Sequence, residues 1–536
     1  MKKTTFAILS SILTIIPLYA QKTNTIANNL TIYNDVLRNL DSYYVDTLNY
    51  DKLLENSVGY MLAQIDPYTI YIPKSETDDL RFMTTGEYGG IGSIITQQKD
   101  GVYISEPYEG MPAQRNGLKA GDRIIEIDGK STKDKSLSDV SSMLKGKPNS
   151  KITVKVQRPN NKKQLTFTFT REKIQIDPII YSAVIAPHIG YIHLTEFTDN
   201  AAQEVKKTIQ QLNQQDSLQS LIIDLCDNGG GIIDEAINIV GLFVPKGTVV
   251  VSTKGRTKSG NRLYKTTLEP LYPNLKLAIL VNQNSASASE IVAGSIQDLD
   301  RGVIIGNRTF GKGLVQSIKP IAEDGHIKIT TAKYYTPSGR CIQAIDYSNR
   351  NEDGSVGRVP DSLTHEFKTT KGRIVRDGGG ITPDIEVKND KNVSITYYLT
   401  IQHAFFNYAT IYEQKHPNID TPDKFELTND DIADFEKYLQ EINFTYKTET
   451  ELALKKVEDL AKIEGLDSIA KQEFEKLRQK LTPTLHQAIQ DNIEDIKIEL
   501  GCEIIKRYYF QKGSVKFLLR YDKGLQKAIE ELQDEN

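Results

Sequence analysis

Apolar residues recur at helical spacing between residues 26 and 64, which predicts helices at the start of the chain. From Thr84 to about Glu172 the pattern shortens to alternating runs (YGGIGSIITQQ, GVYISEP, DRIIEIDG, SKITVKVQR, QLTFTFTRE) that read as strands and turns around one helix near Ser136 to Leu144. Two continuous apolar runs follow, LIIDL from Leu221 and LKLAILV from Leu275 to Val281, each suited to a buried strand. After the second, Asn282 to Ser285 make a polar turn. Ile291, Val292, Ser295, Ile296 and Leu299 then repeat at steps of three and four, the stripe of a helix packed on a core. Residues 345 to 380 are polar and glycine-rich, an excursion from that core. From about 391 to 536 the text is charged and amphipathic (DDIADFEKYLQEI, ELALKKVEDLAKI, QEFEKLRQKL), which predicts surface helices.

A chain of 536 residues is too long for one core and implies three or four units. Its 66 basic and 70 acidic residues leave a formal charge of −4, with no basic stripe to recruit nucleic acid. Lys2 and Lys3 precede an apolar stretch from Phe6 to Leu18 that ends at the small residue Ala20, the layout of an export signal. The expectation is therefore an exported chain starting near Gln21, with retention on the membrane through an uncleaved N-terminal segment as the alternative. Cys226, Cys341 and Cys502 allow at most one internal disulfide, and none is expected. No residue cluster reads as a metal site, and no cofactor is implied.

Candidate chemistry lies in SASASE, from Ser285 to Glu290, and TFGKGLVQ, from Thr309 to Gln316. Ser287 falls at the N-terminus of the predicted helix, where unpaired N–H groups and the helix dipole favour the anion of a tetrahedral intermediate. A serine there can equally be an ordinary N-cap. A serine hydroxyl needs a base, and an amine serves only once its pKa, ordinarily about 10.4, falls toward neutrality. Glycines flanking Lys312 let backbone approach closely and wall the amine off from water. Among seven histidines, His193 and His326 lie in apparent strands and are the contenders for a conventional Ser-His-Asp centre. Three glycines after the strand in LIIDLCDNGGG could converge N–H groups on an oxyanion.

These two motifs resemble those of the carboxyl-terminal processing peptidases, also called tail-specific proteases. The resemblance implies a serine endopeptidase in which Ser287 is the nucleophile, Lys312 the general base and Gln316 the residue that positions the lysine. It assigns the oxyanion donors to Gly230 and Ala288. Cys226 stands where the family usually has arginine and Gly229 where it has proline, which leaves the choice between Gly230 and Gly231 open. Residues 84–172, above all MPAQRNGLKAGDRIIEIDG from Met111 to Gly129, resemble a PDZ domain. PDZ domains bind free carboxyl termini by strand addition, and the carboxylate loop would here be Gly89, Gly90, Ile91 and Gly92. Asp66 to Thr69 and Thr336 to Arg340 resemble turns of the family, and the resemblance covers residues 30 to 390.

The fold class implied is α/β and multidomain, a crotonase-like peptidase core with an inserted β-rich PDZ domain and flanking helical regions. Its expected divisions are a signal at 1–20, a helical region at 21–83, PDZ at 84–172, peptidase core at 173–390 and a helical region at 391–536. Expected partners are proteins with free, extended, apolar C-termini, with an activator or adaptor and self-association as further expectations. The periplasm is the compartment implied by the family's bacterial distribution. The rival expectation is a PDZ scaffold, noncatalytic or awaiting a partner, that binds tails.

Overall fold

The computed structural model describes residues 25–76, 87–159, 161–351, 355–388 and 395–534. The expected signal at 1–20 lies outside these residues, as do the first positions of the expected PDZ and C-terminal regions. The described residues divide into two compact units, one within residues 25–73 and 318–329, the other within 74–317 and 330–534.

In the smaller unit, helix 25–43 is followed by Tyr50–Ala63, capped by the Asn49 side chain accepting Lys52 N–H at 3.0 Å. Asp66 folds the next turn by accepting the N–H groups of Tyr68 and Thr69 at 2.8 and 2.7 Å. Strand Ile70–Ile72 then pairs antiparallel with residues 326–328. That the stretch 318–329 joins this unit was not anticipated. No local pattern distinguishes it from core text, because pairing partners more than 250 residues apart leave no periodic signal.

The larger unit begins with an all-antiparallel sheet ordered Ser93–Gln98, Gly101–Pro107, Arg123–Ile127, Lys151–Gln157, Leu165–Thr170. Alternation along Lys151–Gln157 sends Ile152, Val154 and Val156 inward, where they meet Val102, Ile104 and Leu118. Helix Leu137–Leu144 covers one edge, started by a Ser136/Asp139 capping box. A ribbon of Glu87–Gly90 and Glu172–Gln175 leads into and out of this domain.

The core that follows is a six-stranded sheet. We label its strands β1 (Ile179–Ala186), β2 (Ile189–Leu194), β3 (Ser220–Asp224), β4 (Lys276–Val281), β5 (Val303–Gly306) and β6 (Ile385–Glu386). They lie in that order, β1 antiparallel to β2 and the rest parallel. Parallel strands need crossovers, supplied by α1 (Ala201–Gln215), α2 (Ile233–Gly241) and α3 (Ala288–Asp298). These pack on one face with Val205, Ile239, Ile291 and Val292 buried. The other face, carrying Tyr191, Ile222, Ala278 and Leu280, is covered by Leu525, Ala528 and Leu532 of the last helix, Lys523–Asp534. Burial on both faces explains why β3 and β4 read as unbroken apolar runs.

Beyond residue 395 the helices gather around Phe405, Tyr408, Phe435 and Phe517. The β-domain seats on this cluster: Lys119 meets Glu413 at 2.7 Å, Gln98 meets Asn407 at 3.1 Å, and Gln414 reaches the Pro159 carbonyl at 3.2 Å. Among the described residues no helix is long and apolar enough to cross a membrane. Cys226, Cys341 and Cys502 are free thiols.

Candidate active site

Three loops meet because three adjacent parallel strands end side by side. Leu225–Gly231 follows β3, Asn282–Ser287 follows β4 and Asn307–Gly313 follows β5. Carboxyl ends of parallel strands are where such sheets form their sites. Direct bonds lock the loops together: Leu225 N–H to Leu280 O at 2.9 Å, Ala286 N–H to Asn228 O at 3.0 Å, and Phe310 N–H to Ser285 O at 3.0 Å.

The three serines of SASAS part ways here. Ser285 is fully buried, donating to Leu225 O at 2.7 Å and accepting Asn282 N–H at 2.9 Å. Ser289 is fully buried and donates to Asn228 O at 2.8 Å. Ser287 is partly exposed and occupies the N-cap of α3, with φ 57° and ψ −111°. A non-glycine residue held there costs about 1–3 kcal/mol and persists only where neighbours fix it. They do so at both ends of the residue. Its N–H goes to Glu290 at 2.9 Å, and its carbonyl accepts Ile291 N–H at 3.0 Å and the Tyr334 hydroxyl at 3.2 Å.

Glu290 links this turn to the lysine loop. Fully buried, it accepts Ser287 N–H at 2.9 Å and Lys312 N–H at 2.8 Å on one oxygen, and Thr309 Oγ1 at 2.6 Å and Gly311 N–H at 2.8 Å on the other. Ser287 and Lys312 thus hang from the same carboxylate oxygen. Lys312 itself is half-buried. Gly311, at φ +87°, admits Ala344 so closely that a Cβ would sit 2.3 Å from the Ala344 Cβ. Reading the residues alone missed Glu290 and Tyr334. The spacing S-x-x-E at Ser287 and Glu290 was a visible capping-box signal for the first, whereas nothing local marks Tyr334.

Gly230, at φ +100°, lies against the same turn, since a Cβ there would be 2.6 Å from Ala286 O, 2.8 Å from Ser287 Cβ and 2.9 Å from Ala288 N. Ala288 is the first residue of α3, so its N–H has no intrahelical acceptor. The Gly230 N–H, however, donates to Asn228 Oδ1 at 2.9 Å. Gln316 directs its amide to Thr330 Oγ1 at 3.1 Å. His193 lines a cavity of about 550 Å³ beside Tyr191 and Asp224, on the sheet face opposite α3, and His326 pairs with Ile72 in the smaller unit. Among the described residues no cluster of side chains could hold a metal ion.

In the β-domain, a cavity of about 220 Å³ runs between strand Ser93–Gln98 and helix Leu137–Leu144, lined by Ile91, Ile95, Leu144, Tyr88 and Tyr108. Gly89 and Gly90 belong to the entry ribbon, pairing with Lys173 and Glu172, while Ile91 and Gly92 (φ +71°) form the turn into the strand. Of the four expected carboxylate-loop residues, two thus lie in the ribbon and two in the turn.

Residues 188–349 match the model of peptidase family S41, residues 103–158 that of the PDZ domain, and residues 395–532 that of the C-terminal helical domain of probable PDZ-proteases. Fold, site and these matches together define a serine-type peptidase carrying a PDZ domain. A carboxy-terminal-processing protease of Bartonella bacilliformis is 35% identical over 319 residues, 59% of this chain and 73% of that protein. A probable CtpA-like serine protease of Staphylococcus aureus is 32% identical over 316 residues, 59% of this chain and 62% of that one. A solved photosystem II D1 C-terminal processing protease is 27% identical, covering 66% of this chain and 86% of its own with a TM-score of 0.37. The chain belongs to the carboxyl-terminal processing peptidases of family S41. Likeness to PDZ-proteases continues through residue 532, well past the limit of 390 drawn from sequence.

Proposed function

We propose that the protein is an exported serine endopeptidase that cleaves proteins presenting free, extended, apolar C-termini, using Ser287 as nucleophile and Lys312 as base. The observation that carries this reading is the single Glu290 oxygen shared by the Ser287 and Lys312 N–H groups, which sets the one partly exposed serine of the motif beside the lysine loop. Ser287 Oγ attacks the scissile carbonyl while Lys312 takes its proton and passes it to the leaving amine. Water then hydrolyses the acyl-enzyme with the amine again as base. The oxyanion receives the Ala288 N–H and, once released from Asn228, that of Gly230. Gln316 positions the lysine amine after leaving Thr330. Parallel strands β2 to β6 with flanking helices support a crotonase-like core.

Tail recognition falls to the 220 Å³ groove, where an added strand pairs with Ser93–Gln98 and a terminal apolar side chain enters between Ile91 and Leu144. A second reading, an enzyme at rest until a tail or partner realigns it, is favoured by the Gly230 N–H being engaged with Asn228. The test incubates the purified chain, beside Ser287→Ala and Lys312→Ala, with an unstructured protein ending in an apolar tail, and reads products by mass. Fragments that depend on both residues establish the dyad. A full-rate Lys312→Ala enzyme sinks it, and tail binding without fragments from the wild type favours the resting form.

A further inference from the structure

We propose that Glu290 is a positioning residue for peptide hydrolysis: as a carboxylate it ties the backbone of the nucleophile to that of the base, so that taking up a proton disarms the centre. The inference rests on the Ser287/Lys312 reading. A capping box uses one carboxylate oxygen on the N-cap N–H. Glu290 does more, extending three further acceptor contacts to a loop whose first bonded residue, Thr309, lies 19 positions downstream.

All four neighbours are donors, which is the full acceptor capacity of an ionised carboxylate. Three are backbone N–H groups fixed by the fold. The fourth, the Thr309 hydroxyl, already accepts Ile381 N–H at 2.6 Å, so its hydrogen is directed at Glu290. A proton on either oxygen would place a donor against donors, in a site with no exposed surface through which water could compensate. Burial pushes the Glu290 carboxyl up, against the pull of the bonds from Thr309, Lys312, Ser287 and Gly311. The groups facing it are few. From its own helix turn comes the Ser287 N–H, from the β5 loop Thr309, Gly311 and Lys312, and from strand His326–Tyr335 the Tyr334 phenol. Burial, then the Glu290 charge, holds that phenol well above its ordinary value, so it stays neutral.

Loss of the carboxylate would release the Ser287 N–H and with it one of the restraints on φ 57°. It would also uncouple the lysine loop from the serine turn. Small misplacements of reacting groups are enough to lower turnover by about 100-fold.

The experiment measures kcat and KM for the full chain, Glu290→Gln, Thr309→Val and Ser287→Ala from about pH 5 to 9, on an unstructured protein with an apolar tail. Glutamine offers one acceptor oxygen and two new donors, so it cannot receive all four bonds. The expected result for Glu290→Gln is a kcat about 100-fold lower with KM within about threefold of wild type. Thr309→Val removes a bond that favours the charged form, so the carboxyl rises further and activity fails at a higher pH. The acid limb should move up, a change that general loosening of the fold would not produce. Wild-type kcat in Glu290→Gln, or an acid limb unmoved in Thr309→Val, overturns the inference. If Glu290→Gln does not fold, the Thr309→Val profile decides alone. Wild-type cleavage by Ser287→Ala in the same assay would instead overturn the dyad, which separates the two failures.

Discussion

The Ser287 turn and the β-domain groove treat their polar groups in opposite ways. Around Ser287 every polar side chain with no exposure, Ser285, Ser289, Asn228 and Glu290, is hydrogen-bonded. In the groove the buried Ile91 and Leu144, 2% and 5% exposed, stand beside Ser141 and Lys145, and the buried Ser93 hydroxyl has no bonding partner among the described residues. A centre that makes and breaks bonds must hold its geometry against strain, so it is over-determined. On the proposed reading, a groove that takes many tails would leave its specificity to shape and keep an edge open for a guest strand.

Substitutions should divide along the same line. The largest expected effect is on turnover: Ser287→Ala or Lys312→Ala should lower kcat by at least about 10⁴-fold. Binding of an apolar-tailed peptide, followed by calorimetry, should stay at wild-type affinity. A joint loss of both would show that centre and groove are not separable. Next comes Arg340→Ala, which leaves Asp298 charged and unpaired where both partners are 0–1% exposed at 2.7 Å. Chemical denaturation should show a loss of about 3–5 kcal/mol, and a wild-type midpoint would mean the core is far looser than described.

Gly230→Ala comes third, because its Cβ would press on Ser287 Cβ and the Ala288 N. A kcat about 100-fold lower with little change in KM is expected in steady-state assays. A rise confined to KM would remove Gly230 from the centre. Leu144→Asp tests the groove from the other side. A charge in the apolar wall should raise KM for a tailed protein about tenfold or more, with kcat on a short tail-less peptide unchanged. The smallest effect belongs to Lys119→Ala, since Lys119 is 54% exposed in its pair with Glu413. Its unfolding free energy should change by less than about 1 kcal/mol, and a larger shift would reveal a tighter seat between β-domain and helices.

Much of the centre was legible because its parts are local. Ser287 at a helix start, the glycines around Lys312, and buried strands at Leu221 and Leu275 follow from spacing and residue type within a dozen positions. The burial of Ser285 and Ser289 and the partial exposure of Ser287 could not be read from the repeating SASAS text. Gly230, expected from the family resemblance as an oxyanion donor, lies close against the Ser287 turn, but its N–H donates to Asn228 Oδ1, a bond that no local pattern marks. That Gly89 and Gly90 pair in a ribbon with residues more than 80 positions away was not legible either, because a bare GGIG carries no signal of a distant partner.

Sequence alone determined the strand and helix types, which depend on periodicity and short-range steric demands, while the order of domains and the candidate nucleophile and base followed from the resemblance of its motifs to a known family. Only the tertiary structure decided that Glu290 bonds both loops, that Tyr334 caps the Ser287 carbonyl, and that 318–329 joins the N-terminal unit. Those outcomes depend on which strands lie side by side. Adjacency of β3, β4 and β5 carries residues between 19 and 61 positions apart into hydrogen-bond range, and buried donors and acceptors must then satisfy one another because water cannot reach them.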